Sequence, residues 1–405
     1  MLKNVAVVAL AASSAAYALA PLKFEAQGSK PAKGSYIVKL RKNVQNVDAH
    51  VARVKTMVQE HNAQLMTAQG GSPPNGVKHV YKRALRGYAG KFDDAMLAKI
   101  RADPDVEYVE LDGIVKINDQ QSGAPWGLGR VSSRNKVSNP ATYFYDGNAG
   151  AGVKIFVVDT GIRTTHSDLG GRATWGANFA DDGDDSDGNG HGTHVAGTSA
   201  GSKYGVSKKA DLVAVKVLDA GGSGTWSGVI AGIDWVTEQH SSGNGGAKGS
   251  VINMSLGGGK SASVNAAAEA AVAAGVHVAV AAGNESQNAC NVSPASANGV
   301  LTVAASDVND RSASFTNYGN CVEIYGPGVN VLSAWNTDDS ATNTISGTSM
   351  ASPHAAGILA YYASLSSTSY TPAALISKVI SASTSGKITN VRTGTPNKLL
   401  YNSYV

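Results

Sequence analysis

The sequence predicts an α/β fold: a doubly wound, mainly parallel sheet with helices on both faces, preceded by a small α+β domain. Three observations predict it. Apolar runs recur at residues 153–158, 212–218, 251–254 and 276–281 without strict apolar–polar alternation, the pattern of strands buried on both faces. Helical stretches separate them, at 191–200, 225–240, 262–274 and 348–363, and such alternation implies parallel strands with right-handed crossovers. The chain also carries 47 glycines, which supply tight turns and close backbone approaches. Sites in such sheets gather at the carboxyl ends of the strands.

The part before residue 118 reads differently. Tyr36-Ile37-Val38-Lys39-Leu40 alternates like a strand. A helix is expected over 48–61, a Gly/Pro-rich loop over 70–76, a strand over 87–92, a helix over 94–102 and a last strand over 106–111. Small polar residues at 118–123 read as a linker. At the very start, Lys3 precedes an apolar run from Val5, closed by Ala16-Tyr17-Ala18 or Ala18-Leu19-Ala20. That is a secretory leader, with Pro21 disfavouring the second cut. The run is shorter than the about 20 residues a membrane span needs. The expected organisation is a leader over 1–18 (or 1–20), a first domain over 21–118 and a second over 119–405, in a secreted, extracellular protein.

Charge separates the two domains. Residues 1–118 hold 17 Lys and Arg against 10 Asp and Glu, a net +7; the remainder of the +4 chain is therefore −3. Opposite signs mark either two unrelated surfaces or two parts that meet, with charge helping them associate. No basic stripe with interleaved aromatics is present, which argues against nucleic acid as a partner, and no later segment is long enough to span a membrane. The two cysteines, Cys290 and Cys321, form in a secreted chain either a disulfide or a pair of buried thiols.

Three segments carry candidate chemistry: Val157-Val158-Asp159-Thr160-Gly161, Asn189-Gly190-His191-Gly192-Thr193-His194, and Ser346-Gly347-Thr348-Ser349-Met350-Ala351-Ser352-Pro353-His354. Taken singly, each has a plainer explanation. An Asp after a strand is often a cap, and a Ser before a helix often an N-cap. Two histidines three apart suggest a metal, but no H-E-x-x-H glutamate accompanies them. Taken together they hold an Asp, a His and a Ser in an order known for one class of hydrolase. A serine hydroxyl needs a base to remove its proton, histidine serves near neutral pH, and a carboxylate fixes the imidazole tautomer. A helix start at Ser349, with Pro353 in its first turn, adds free N–H groups and a favourable dipole.

All three segments resemble those of subtilisin-like serine proteases, the proteinase K-like branch most closely. Ala124-Pro125-Trp126-Gly127-Leu128 is similar to the start of such a mature enzyme, and Leu399-Leu400-Tyr401-Asn402 to its end. The resemblance implies a secreted serine endopeptidase of broad specificity for apolar and aromatic residues, acting as a monomer on proteins and peptides. It implies that Asp159 orients, His191 rather than His194 is general base and acid, Ser349 is the nucleophile, and Asn284 binds the oxyanion. It further implies that Gly222-Ser223-Gly224 and Ser255-Leu256-Gly257 flank an extended substrate. Trp226 would wall the subsite four residues before the cut, and Ala281, Ala282 and Gly283 would line the primary pocket with Glu285 at its mouth. No organic cofactor is implied. A structural Ca²⁺ is, on Asn298, Val300 and Glu323, where the family carboxylate is often Asp. The Asp-rich run 181–187 is a second oxygen-rich stretch. Cys290 and Cys321 match a disulfide of heat-stable relatives. Of the sequons at Asn253, Asn284 and Asn291, only Asn291 reads as a glycan acceptor.

Residues 22–118 resemble the propeptide inhibitor of the same family, carried by Ser35-Tyr36-Ile37-Val38-Lys39-Leu40, Gly87-Tyr88-Ala89-Gly90-Lys91-Phe92 and Asp103-Pro104-Asp105-Val106-Glu107-Tyr108-Val109-Glu110. The implied role is to template folding and then block the cleft, with autocleavage near Asn118–Asp119. Two rival readings are a catalytically dead binding protein on the same fold and an α/β-hydrolase esterase. The second requires G-x-S-x-G, whereas Gly347-Thr348-Ser349-Met350-Ala351 ends in Ala.

Overall fold

The computed structural model describes residues 19–23, 31–69, 75–83, 85–113 and 119–404. The leader lies outside these except for Leu19 and Ala20; most of the 70–76 loop and Asn118 lie outside them as well. The chain forms two compact units, 1–117 and 118–405.

In the first unit β1 (Leu22–Lys23), β2 (Pro31–Leu40), β3 (Gly76–Tyr81), β4 (Gly87–Lys91) and β5 (Val106–Gly113) make one sheet, ordered β1-β5-β2-β4-β3. Helices α1 (Val47–Gln69) and α2 (Asp94–Ala102) accompany it. Val47, Val51, Val54 and Val58 recur at three- and four-residue spacing on α1 and are buried with Met96, Leu97 and Ile100 of α2. α1 runs eight residues past the expected end at His61; its buried apolar stripe stops at Val58, and Met66 beyond it is exposed.

The second unit begins with β6 (Asp119–Ala124), α3 (Trp126–Val131) and β7 (Ala141–Tyr145). The linker expected at 118–123 is instead β6, an exposed strand paired antiparallel with β7 from Asp119↔Tyr145 to Ala124↔Ala141. Then follow β8 (Val153–Asp159), β9 (Ala173–Asn178), α4 (His191–Ala200), β10 (Asp211–Lys216), α5 (Trp226–Ser241), β11 (Gly249–Met254), β12 (Gly258–Gly259), α6 (Ala262–Ala273), β13 (His277–Ala281), β14 (Val292–Ser293), β15 (Leu301–Ser306) and β16 (Ile324–Pro327). β17 (Val331–Ala334), β18 (Thr342–Ile345), α7 (Thr348–Leu365), α8 (Pro372–Ala382), β19 (Thr384–Ser385) and β20 (Lys398–Leu399) complete it.

The nine-stranded sheet runs β19-β20-β16-β15-β13-β11-β8-β10-β9, parallel throughout except for the edge pair β19–β20. Ile155 and Val157 face one apolar core with residues of α4, α7 and α8. Phe156 and Val158 face the other, with residues of α5 and α6. Both faces are therefore dry, which explains why these strands read as continuous apolar runs. β8 is the point from which the chain steps first to one side of the sheet and later to the other. The carboxyl end of β8 thus opens on the crevice where such sheets carry their sites. β10 stops at Lys216, two residues before the expected end: β8 ends opposite it at Asp159, whose O accepts from both Val217 N–H (2.9 Å) and Leu218 N–H (3.2 Å), and the fully buried Lys216 Nζ donates to Thr160 O (3.1 Å) and Leu218 O (2.8 Å).

Candidate active site

Asp159 closes β8 and is fully buried. Its Oδ1 lies 2.7 Å from His191 Nδ1 and also accepts the Thr160 N–H at 2.7 Å. His191 is the first residue of α4 and keeps 24% of its side chain exposed. The helix comes this close to the β8 loop because residue 192 is glycine: a Cβ there would stand 2.0 Å from Gly161 O.

Asp187 fixes this corner, and the sequence reading does not assign it. It is the last aspartate of the acidic run and the buried one. Its Oδ1 accepts Thr160 Oγ1–H (2.8 Å), Asn189 N–H (3.1 Å) and Gly190 N–H (2.8 Å). Its Oδ2 accepts Thr193 N–H (2.9 Å) and Oγ1–H (2.6 Å). One carboxylate thereby ties the residue after Asp159 to the first turn around His191. Its position four residues before a helix-starting His was the available signal, hidden by four other aspartates in the run. Burial disfavours the His191 imidazolium, but the charge and hydrogen bond of Asp159, with the charge of Asp187, outweigh it and hold His191 above its ordinary pKa. His194 is fully buried, with Nε2 donating to Val331 O (3.0 Å), and burial pushes it down to about 3.

Ser349 is the second residue of α7. Its Oγ–H donates to Ser255 O (3.0 Å), and Ser255 Oγ–H donates back to Ser349 O (2.7 Å). No Ser349–His191 hydrogen bond is present in this structure. Pro353 lies in the second turn rather than the expected first. Having no N–H, it leaves the Ser349 carbonyl without its helical donor, and Ser255 supplies the replacement.

Asn284 follows β13 by three residues. Its Oδ1 accepts the Thr348 N–H (2.8 Å) and Oγ1–H (2.9 Å), while Thr348 Oγ1 accepts the Gly283 N–H (3.1 Å). With Oδ1 occupied, Nδ2 is the free donor end. Asn284 Nδ2 and Ser349 N both lie near Gly347, at 3.7 and 3.6 Å from where a Cβ on that residue would stand.

A groove of roughly 570 Å³ runs from His191 between Gly222-Ser223-Gly224 and Ser255-Leu256-Gly257. Half-buried Trp226, first residue of α5 and capped by Thr225 Oγ1, lines it with Leu218 and Val229. Gly258 adjoins the indole: a Cβ there would stand 2.8 Å from Trp226 Cζ2. The sequence reading omits Leu218, Val229 and Gly258; for Val229, three residues after Trp226 on one helix, spacing was the usable signal. Ala282 and Gly283, expected in the primary pocket, do not line this groove, and Ala282 is fully buried.

Asn298 is exposed, with N–H and Nδ2 both donating to Glu269 Oε1 at 2.8 Å, and Val300 is buried. The Glu323 Oε2 accepts the Thr302 N–H (2.6 Å). Among the described residues Glu323 has no ion-pair partner, and burial, opposed by the Thr302 bonds, pushes it up to about 7. In the acidic run Asp182 is paired with Lys216 at 3.0 Å. The His50, Asp103 and Asp105 cluster of the first unit already holds the guanidinium of Arg53, 3.0 and 2.8 Å from the two carboxylates. Cys290 and Cys321 form a disulfide. Asn253 is fully buried and Asn291 exposed.

A doubly wound sheet with an Asp–His pair at one strand end, and a helix-start Ser bonded to the wall of the groove that His191 lines, is the arrangement of a serine hydrolase. Residues 150–398 match the Subtilase family and residues 35–118 match Peptidase inhibitor I9. The chain belongs to the subtilase family and is a subtilisin-like serine protease with an I9 propeptide domain. It is 44% identical over 378 residues to a cuticle-degrading serine protease of Arthrobotrys oligospora, covering 91% of this chain and 90% of that one. It is 42% identical over 406 residues to alkaline protease 2 of Aspergillus fumigatus, covering 92% and 82%. The crystal structure of a cold adapted subtilisin-like serine proteinase aligns with a TM-score of 0.65 at 44% identity, over 69% of this chain and 99% of that one. No described helix is long and apolar enough to cross a membrane.

Proposed function

We propose that the chain is a secreted endopeptidase that cleaves proteins by an acyl-enzyme route through Asp159, His191, Ser349 and Asn284, after removing its own propeptide. The observation that supports this reading is the Asp159–His191 pair at one end of a groove whose wall, Ser255, also holds the Ser349 hydroxyl. In the first step Ser349 Oγ leaves Ser255 O, passes its proton to His191 Nε2 and attacks the scissile carbonyl carbon. Asp159 holds Nδ1–H and stabilises the imidazolium. The Asn284 Nδ2 and Ser349 N–H groups receive the oxyanion, with the helix start of α7 adding its dipole. His191 then protonates the leaving amine, and water repeats the sequence to release the acid.

The substrate main chain lies between Gly222-Ser223-Gly224 and Ser255-Leu256-Gly257 as an added strand, which reads little sequence. Trp226, Leu218 and Val229 give an apolar subsite four residues before the cut. Ala281, Ala282, Gly283 and Glu285 belong to the primary pocket in this reading. Gly258→Ala drives a Cβ toward the indole and is expected to weaken preference for a large apolar residue at that subsite.

Structural Ca²⁺ is assigned to the carbonyls of Asn298 and Val300 and the carboxylate of Glu323. The fit rests on a mostly buried carboxylate with no basic partner, whose ionisation a hard cation would favour. For the leader, the packing of Ala20 supports a cut after Ala18. Ala20 is buried in the first unit's core, its N–H donating to Arg101 O (2.7 Å) and its O accepting from Arg101 Nε (2.8 Å). The first unit then acts as chaperone and inhibitor, with self-cleavage near Asp119.

The test is to express the full chain beside Ser349→Ala and follow size, N-terminus and casein hydrolysis. The expected result is a parent that shortens to a species starting near Asp119 and cleaves casein, while the mutant does neither. A parent that folds, stays full length and remains inactive once its first unit is removed would overturn the assignment in favour of a binding protein.

A further inference from the structure

Asn317 lies in the loop between β15 and β16, has no exposed surface, and takes no part in the chemistry above. Its amide is used at every position. Oδ1 accepts the N–H groups of Glu285 (3.1 Å) and Gln287 (2.9 Å). Nδ2 donates to Ala282 O (2.9 Å) and Glu285 Oε2 (2.7 Å). Its own main-chain N–H donates to Gly283 O (3.0 Å). Asn284 is thus bracketed: Ala282 before it and Glu285 and Gln287 after it are bound to the Asn317 side chain, Gly283 to its main-chain N–H, while Thr348 holds the Asn284 amide oxygen from the other side.

Gly283 is shaped for this contact. Its φ is +100°, and a Cβ on it would stand 2.2 Å from Asn317 Nδ2. Neighbouring main-chain bonds, Ser286 N–H to Phe315 O (2.9 Å) and Tyr318 N–H to Gln287 O (3.0 Å), run along the same seam. They would hold the two segments together without Asn317, but they do not reach the peptides on either side of Asn284. Only an Asn-shaped amide gives two acceptors' worth of oxygen and two donors at this reach. Aspartate keeps the shape, loses both donors and sets a second carboxylate against that of Glu285.

We infer that Asn317 is a positioning residue for the oxyanion donor: it fixes the 282–287 run so that Asn284 Nδ2 is in place before the tetrahedral state forms. This rests on the proposed role of Asn284. A preorganised donor acts on the transition state more than on bound substrate. A residue that only stabilises the fold would instead lower melting temperature or the fraction of active molecules.

The experiment is a double-mutant cycle on the mature enzyme, with Asn317→Asp, Asn284→Ala and both together, and every rate expressed per titrated serine. A tetrapeptide anilide with Phe before the cut gives kcat and KM. A peptidyl boronic acid reports the tetrahedral state, and the corresponding peptide acid reports ground-state binding. Asn317→Asp is expected to lower kcat about 10- to 100-fold, the scale of an ångström-sized misplacement, with KM and peptide-acid affinity changed less than about threefold. Boronate affinity falls with kcat. In the Asn284→Ala background the same change costs nothing further, since residues acting as one unit are not additive. If Asn317→Asp gives no titratable enzyme, Asn317→Ser, smaller and uncharged, carries the same cycle. An unchanged kcat per titrated site, or losses that multiply in the double mutant, overturns the inference and leaves the oxyanion assignment standing. If Asn284→Ala alone leaves kcat intact, the oxyanion assignment falls and the inference with it.

Discussion

At the scale of single residues, the site depends on how charge is arranged around His191. Its raised pKa means that the Asp159–His191 pair contributes stability fully below the unfolded value of about 6.5, a contribution lost as pH rises through the folded value. In the proposed mechanism activity runs the other way, since the base must be neutral. Asp187→Asn removes one of the two negative charges that favour the imidazolium. The acid limb of the kcat/KM profile is then expected to move to lower pH, and loss of the Oδ2 acceptor that holds the Thr193 N–H to lower kcat about tenfold. A pH–rate profile of the two enzymes checks both. A limb that stays in place would show that Asp187 acts on geometry alone. Asp159, His191 and Ser349, the residues of the proposed mechanism, stand out in the sequence because each sits in a contiguous motif. Asp187 was visible as an aspartate but not as this aspartate: nothing local marks which of the acids in 181–187 turns inward.

At the scale of elements, α7 shows how a helix start is kept usable. Pro353 removes one N–H from its second turn, and Ser255 at the end of β11 fills the place on Ser349 O. Ser255→Ala leaves that carbonyl without a donor, at a cost of about 1 kcal/mol, or about 2–4 °C in a domain of this size. The double change Ser255→Ala with Pro353→Ala restores a helical donor and is expected to recover most of that melting temperature. Thermal melts of the inhibited enzymes decide it, and a double mutant no more stable than Ser255→Ala would sink the account. The elements the sequence misjudged share a cause. β6 carries no apolar alternation because it is an exposed strand held by main-chain pairing with β7, so its polar residues looked like a linker. The far end of α1 has no buried stripe to announce it.

At the scale of the whole molecule, two cross-connections are open to measurement. The disulfide closes a loop with a sequence separation of 31, worth about 3.7 kcal/mol if unstrained. Replacing both Cys290 and Cys321 by Ser should lower the unfolding free energy of the inhibited mature enzyme by about that amount in a denaturant titration. An unchanged midpoint would mean that the seam between 282–289 and 315–318 holds the two segments by itself. Chelation is the second. If Glu323 anchors Ca²⁺, a chelator lowers the melting temperature of the parent, because a ligand that binds only the native state stabilises it. Glu323→Gln should abolish that response. A parent indifferent to chelator removes the calcium assignment.

The sequence by itself determined the fold class and the kind of chemistry. Strands buried on both faces leave continuous apolar runs, and a nucleophile, base and orienting acid need fixed neighbours along the chain, so both are written locally. Tertiary structure alone decided which groups hold that chemistry in place. Asp187, Asn317, Lys216 and the Ser255–Pro353 exchange each act through single polar contacts to segments that are remote or turn back on themselves. Such a contact needs one suitable atom at one distance. It has no period, no spacing and no composition, and therefore leaves no pattern in the sequence until the chain has folded.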